Sequence, residues 1–92
     1  MLTQIDKPTT QKCSKYGNLN FLKYLYENDH VRDNNSCNYA AQNGHLEILK
    51  YLHENRFLWD EYTYFNAVES GNLEIVKYLH ENGCPWSSAT FF

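Results

Sequence analysis

The sequence repeats itself with a period of 27 residues. A block of twelve residues begins at Gly17 and returns at Gly44 and Gly71, and seven of its twelve columns hold the same residue in all three copies. A fixed period of this size is typical of one supersecondary unit stacked on copies of itself, because each unit buries its apolar face only against its neighbours. The period therefore favours a repeat array over a mixed globular fold.

Each copy of the block has the pattern of an amphipathic helix. In the second copy, Leu46, Leu49 and Leu52 recur at helical spacing and charged residues separate them. The glycine that opens each block is expected to end a preceding helix, where a left-handed backbone conformation is needed. For the same reason we expect Asn55 and Asn82-Gly83 to end the helices of the second and third blocks.

A second, shorter helix is predicted before each glycine. Its start is marked by residues that suit the N-cap position, since their side-chain oxygens can accept a free N–H of the first turn. At the 27-residue period these residues are Asp6, Asp33, Asp60 and Ser87. A column that stays small within this helix indicates a close approach between two helices, and it holds Cys13, Ala40 and Ala67.

We therefore expect an all-α solenoid of stacked helix-turn-helix repeats with short connectors. A single domain over 1–92 is predicted to contain repeats 6–32, 33–59 and 60–86 and a partial fourth repeat at 87–92. The predicted helices are 7–16, 19–28, 34–43, 46–55, 61–70 and 73–82. The residues predicted to be buried between units are Ala40, Ala41, Leu46, Leu49, Leu52, Ala67, Ile75, Val76 and Leu79.

Two motifs resemble those of ankyrin repeats. These are Ala40-Ala-Gln-Asn-Gly-His45 and the segment from Gly71 to Leu79, which is similar to the family pattern Gly-His-x-Glu-Ile-Val-Lys-Leu-Leu. The chain departs from the family in two ways, because its first helices lack the Thr-Pro-Leu-His opening and its period is shorter than the usual ~33 residues. Short units that contain Tyr-Leu-His-Glu-Asn-Gly-Cys-Pro-Trp86 are similar to those of ankyrin families in giant DNA viruses of amoebae. The resemblance implies a protein-binding scaffold.

Net charge and cysteine content restrict the classes of partner and the cellular location that we expect. The net charge is −3 and no run of Lys or Arg occurs, so we expect no nucleic-acid partner. No segment approaches 18 apolar residues, so no membrane span is expected. The three cysteines fall in different columns of the repeat, which suits a reducing interior. We therefore expect a cytoplasmic or otherwise intracellular protein, inside the host cell if it is viral.

Neither a metal nor catalysis is predicted. His53 and His80 share a column and should stand one repeat apart, roughly 10 Å by helix packing. One ion could not bind both, since a metal–nitrogen bond is only ~2 Å long. Cys84 has no accompanying His or Asn of the kind that activates a nucleophile. We therefore expect no enzyme and no cofactor.

The columns that vary between units are the candidates for recognition. Three such columns lie in the first helix of each unit, and by the ankyrin resemblance they line a concave face that meets protein partners. The predicted partner-binding residues are Lys12, Lys15, Tyr39, Gln42, Asn43, Asn66 and Glu69. Neutral drift of an exposed surface explains the same variation equally well.

The leading hypothesis is a non-enzymatic module that binds an unidentified intracellular protein. A truncated or remnant member of a repeat family, with little function of its own, is one alternative. A self-associating structural protein is another, since Trp86, Phe91 and Phe92 at the C-terminal end could bring two chains together.

Overall fold

The computed structural model describes residues 10–29 and 35–86. Within these ranges the chain forms six helices and no strand, which confirms the predicted all-α class. The helices are α1 Thr10–Tyr16, α2 Leu19–Asp29, α3 Ser36–Gln42, α4 Leu46–Glu54, α5 Glu61–Glu69 and α6 Leu73–Glu81. α3 begins at Ser36, two residues later than predicted.

The helices pack as three pairs that stack on one another. α1 packs on α2, α3 on α4 and α5 on α6, while α3 lies between α1 and α5. The result is an elongated stack that measures 49 × 24 × 18 Å along its principal axes. This is the predicted solenoid of helix-turn-helix repeats. The proposed partial fourth repeat, 87–92, lies outside the described residues.

A left-handed glycine turns the chain between the two helices of each pair. Gly44 has φ +76, and the backbone N–H of His45 donates to Ala40 O at 2.9 Å, so the turn closes over the end of α3. This bond, from C″ back to C3, is the mark of the Schellman motif. The turn at Gly17 is also crowded, because a Cβ there would lie 2.9 Å from the ring of His45. The predicted role of the glycines is confirmed.

α4 and α6 end in the same motif, but the left-handed residue after α4 is not the one predicted. Asn55 caps α4 with φ −101, and Arg56 takes the left-handed conformation with φ +68. The bond from Phe57 N to Leu52 O, 2.9 Å long, then closes the turn and buries the Phe57 ring. Gly83 holds the equivalent place after α6, with φ +76. Asn55 therefore ends α4 as predicted, but its predicted left-handed conformation was wrong, because that position is one residue beyond the cap.

Asp60 is an N-cap, as predicted. Its Oδ1 accepts from the backbone N–H groups of Tyr62 at 3.0 Å and Thr63 at 3.3 Å. Thr63 Oγ1 accepts in return from Asp60 N at 3.2 Å, which completes a capping box. The Thr63 hydroxyl also donates to Asn38 Oδ1 on α3, so this cap joins two units. The other predicted caps, Asp6, Asp33 and Ser87, lie outside the described residues.

The core lies between the helix layers and between units. The small column is buried in all three units, and the fully buried large side chains include Leu22 and Leu79. Burial is confirmed for seven of the nine residues predicted, namely Ala40, Ala41, Leu49, Leu52, Ala67, Ile75 and Leu79.

The prediction was wrong for Leu46 and Val76, which are only half-buried. Leu46 stands in the first turn of α4, at the rim of the core. Val76 shares its column with Leu22 and Leu49, which are fully buried because a following unit packs on them. On α6 that column faces outward, so burial there depends on what lies beyond the third helix pair.

Candidate functional site: the first-helix surface

The first helices form the more tightly packed layer of the stack. α1, α3 and α5 approach one another closely because Cys13, Ala40 and Ala67 are small and buried at their contacts. Between the second helices stand larger side chains, such as Tyr26 and Tyr51, whose ring centroids are 6.3 Å apart. We therefore take the exposed surface of the first helices as the candidate site, which the ankyrin resemblance predicts to line a concave face.

Three of the predicted partner-binding residues come together at the first unit. Lys12 and Lys15 on α1 and Tyr39 on α3 line one open depression of about 350 Å³, together with Gln11 and Tyr16. Among the described residues, no carboxylate lines this depression. Gln11 was missed by sequence reasoning, although its column, which also contains Asn38 and Phe65, varies between units as well.

The ammonium group of Lys15 lies within reach of two aromatic rings. Its Nζ is 5.6 Å from the ring centroid of Tyr16 and 6.0 Å from that of Tyr39. These distances are in the range of cation–π attraction, which holds the charge near the rings without neutralising it. The depression therefore presents a positive charge between aromatic walls.

The other predicted residues continue along the second and third units. Gln42 on α3 and Glu69 on α5 share the column of Lys15, and all three side chains are exposed. Along this column the charge changes from positive to neutral to negative. Asn43 is exposed but caps α3, where its side-chain amide donates to Tyr39 O at 3.0 Å. Asn66 is half-buried on α5.

In the second and third units, the polar residue that follows the glycine forms a hydrogen bond to the preceding unit. A ring nitrogen of His45, Nε2, lies 3.1 Å from Lys15 O. Since a carbonyl oxygen only accepts, that nitrogen must carry the proton. The side-chain amide of Asn72 makes the equivalent contact with Ala41 O at 3.2 Å. Both contacts satisfy carbonyls at the end of a first helix, which have no partner inside that helix. The polar column therefore helps to position the first-helix surface.

Of the two histidines considered as metal ligands, His53 is used in packing and His80 is exposed. The imidazole of His53 stacks on the indole of Trp59, with ring centroids 3.9 Å apart and planes 8° from parallel. The ring of Tyr78 meets the His53 ring edge-on, with the two ring centroids 6.0 Å apart. Within 10–29 and 35–86, no three His, Cys, Asp or Glu side chains gather in a way that could hold a metal ion.

The three cysteines are free and buried, and their surroundings make the thiols poor nucleophiles. Burial, with a smaller contribution from the charge of Asp60, raises the pKa of the Cys37 and Cys84 thiols to about 12. Cys84 Sγ also lies 3.4 Å from Asp60 O, where the thiol can donate. Because the thiolate is the nucleophile, a thiol that stays protonated at neutral pH is a poor one.

The lysines of the second helices pack on tyrosines of the following unit. Lys23 Nζ lies 5.6 Å from the ring centroid of Tyr51, and Lys50 Nζ lies 5.9 Å from that of Tyr78. Lys50 also lies 4.0 Å from Glu47, in an exposed pair that adds little stability. Sequence reasoning missed the cation–π contacts, although Lys and Tyr are both invariant columns of the 27-residue block.

The comparison with known proteins agrees with this geometry. The sequence profile of the family described as Ankyrin repeats (3 copies) matches residues 10–89. The chain belongs to the ankyrin-repeat family. Ankyrin repeats are generally protein–protein interaction modules and are typically not enzymes. No curated protein and no solved structure matches the chain. Among the described helices of this ankyrin-repeat chain, none is long and apolar enough to cross a membrane.

Proposed function

We propose that this ankyrin-repeat chain is a non-enzymatic module that binds an extended segment of an intracellular protein along its first-helix surface. The observation that carries the proposal is the positive, aromatic-walled depression formed by Lys12, Lys15, Tyr16 and Tyr39. By the ankyrin resemblance this surface lines a concave face, where a partner could contact all three units at once.

The charge order of the surface suggests the chemistry of the partner. A segment that follows the column of Lys15, Gln42 and Glu69 would carry an acidic side chain at the first unit and a basic one at the third. Tyrosine rings beside the lysines offer large contact areas at low entropic cost, which is typical of protein-binding surfaces. The proposed contact residues are Lys12, Lys15, Tyr39, Gln42, Asn43, Asn66 and Glu69.

The same features argue against other classes of partner. We infer that the chain binds neither nucleic acid nor membrane, because its net charge is −3 and two of the second-helix lysines pack on tyrosines. We also infer that it takes no metal and no cofactor. Its free, buried cysteines suit a reducing, intracellular location. The 27-residue period and the segment ending at Trp86 support an origin among the short-repeat ankyrin proteins of giant amoeba-infecting viruses, inside the host cell.

A peptide selection tests the main proposal. Peptides of about twelve residues are selected from a random displayed library against the wild-type chain, and their affinities are then measured for Lys15→Glu and for Lys77→Glu. Both lysines are exposed, but Lys77 lies on a second helix and serves as the matched control. We expect the selected peptides to be acidic at one end and to lose about tenfold or more in affinity for Lys15→Glu only. Peptides that bind both variants alike would favour neutral drift of the first-helix columns.

A second candidate function is self-association through the C-terminal end. It is favoured by Leu73, a large apolar side chain on α6 that is almost fully exposed. The predicted contribution of Phe91 and Phe92 to this end lies outside the described residues. A remnant with little function of its own is the competing view, and it predicts neither selected peptides nor specific association.

A further inference from the structure

The same set of contacts occurs twice inside the chain, once at each junction between units. At the first junction Lys23 lies over the ring of Tyr51, and the ring of Tyr26 meets Tyr51 edge-on at 87° and 6.3 Å. At the second junction Lys50 lies over Tyr78, and His53 meets Tyr78 edge-on at 88° and 6.0 Å. Each unit thus offers a forward face to the next unit and a backward face to the previous one.

The two ends of the described stack expose the residues that these junctions cover. The backward face of the first unit holds Phe21 and Tyr24, and we call it the Tyr24 face. Tyr24 is 60% exposed, whereas the tyrosines of the same column in the later units are half-buried. Phe21 is 36% exposed, whereas Ile48 in its column is only 2% exposed. The first unit therefore carries a packing face that the described residues leave uncovered.

The forward face of the third unit shows the opposite half of the junction. It holds Leu73, Lys77 and His80, and we call it the Leu73 face. Leu73 is 79% exposed, although Leu19 and Leu46 of its column are half-buried against the core. The described residues therefore hold both halves of one junction, one half on the first unit and the other on the third.

We propose that copies of this chain stack end to end, with the Leu73 face of one copy on the Tyr24 face of the next. Lys77 then lies over Tyr24 of the next copy, and His80 meets the same ring edge-on, as their column partners do within the chain. The proposal specifies the second candidate function above and is independent of binding at the first-helix surface. Because the two faces differ, the contact is heterologous, and repeating the unit-to-unit step produces an open stack and not a closed dimer.

The size of the end faces sets the expected strength of the association. The stack is 24 Å by 18 Å in cross-section, so each face offers roughly 400 Å² and a junction buries roughly 800 Å². Stable interfaces bury about 1,200 Å² or more, so this junction is of the weak, transient class. Association should therefore be visible at concentrations of roughly 0.1–1 mM, and less so at micromolar ones.

Sedimentation velocity of the 92-residue chain over this range tests the proposal, with Leu73→Glu and Tyr24→Glu as the two blocking variants. Both side chains are exposed, so circular dichroism should show that neither substitution unfolds the chain. Leu58→Glu is the matched control, because Leu58 is 69% exposed in the connector before α5 and takes part in neither face. We expect the wild type and the control to gain mass continuously with concentration, and each blocking variant to stay monomeric.

An equimolar mixture of the two blocking variants gives the decisive result. Each variant keeps one intact face, so the mixture should form a one-to-one dimer and nothing larger. A wild type that stays monomeric throughout would overturn the proposal. A Tyr24→Glu variant that still self-associates would also overturn it, since that result requires a symmetric contact between two Leu73 faces. The peptides selected at the first-helix surface should bind Leu73→Glu normally, so failure of one proposal is separable from failure of the other.

Discussion

Replacing Arg56 by glycine should stabilise the chain. Arg56 has φ +68, in the left-handed region that side chains with a Cβ adopt at a cost. The equivalent residue one period later is Gly83, with φ +76 in the same kind of turn. The Arg56 side chain is exposed, and within the described residues it makes no hydrogen bond or ion pair that glycine would remove.

The expected gain follows from two opposing effects. A left-handed conformation costs a residue with a Cβ about 1–2 kcal/mol, which glycine would recover. Glycine also gives the unfolded chain more freedom, which costs roughly 0.5–1 kcal/mol. The difference leaves a net stabilisation of about 0.5–1 kcal/mol for Arg56→Gly. In a domain of this size, that corresponds to a rise in Tm of about 2–8 °C.

Thermal and urea unfolding, followed by circular dichroism, measure the effect against a reciprocal variant. Gly83→Arg should lower Tm by a similar amount, because a Cβ at Gly83 has no atom within 4 Å and meets no clash. The penalty there is therefore conformational alone. If Arg56→Gly leaves the free energy of unfolding unchanged or lowers it, the backbone at Arg56 is not strained and the argument from the turn is wrong.

Two further predictions concern the core. Leu52→Ala, at a fully buried position, should lower the free energy of unfolding by ~2–5 kcal/mol in urea titrations, and an unchanged midpoint would contradict its place in the core. The stability should also fall as the pH rises from about 9 to about 12, because burial raises the pKa of Cys37 and Cys84 from 9.0 to about 12. The folded state favours the protonated thiols, so their contribution is complete below pH 9 and is lost above it. For Cys37→Ala, the fall in the free energy of unfolding from pH 8 to alkaline pH should be smaller than for the wild type. The same fall in both proteins would show that the Cys37 thiol does not cause the alkaline loss.

Much of the fold could be predicted because its signals are local. The glycine turns need a left-handed residue, and only glycine adopts that conformation freely, so the period of Gly17, Gly44 and Gly71 locates each turn. The cap at Asp60 is equally local, since its partners lie two and three residues away. Arg56 escaped prediction because its residue type opposes the conformation that the Schellman turn imposes on it.

Burial and side-chain contacts were harder to predict, since they depend on the neighbouring unit. Val76 repeats the column of Leu49 but is less buried, because the two residues differ in what packs beyond them. The stacking of His53 on Trp59 joins a helix to the connector that follows it, and the recurrence of the pair as His80 and Trp86 does not by itself show that the rings stack. For the candidate site, the variable columns located Lys12, Lys15 and Tyr39, but only the fold brings them around one depression.

The junction contacts explain why some columns of the repeat are invariant and others are not. Lysine and tyrosine recur in every block because each Lys–Tyr pair joins two units, so a change at either position weakens a junction. The column of Lys15, Gln42 and Glu69 faces solvent and has no such constraint. Variation in this column is compatible with recognition of a partner and with neutral drift. The two explanations differ in whether the three units act together. Recognition of one extended segment couples all three units, so Lys15→Glu and Glu69→Lys together should reverse the charge order of the peptides selected. Drift predicts no such reversal, and selection on the double variant therefore separates the two explanations.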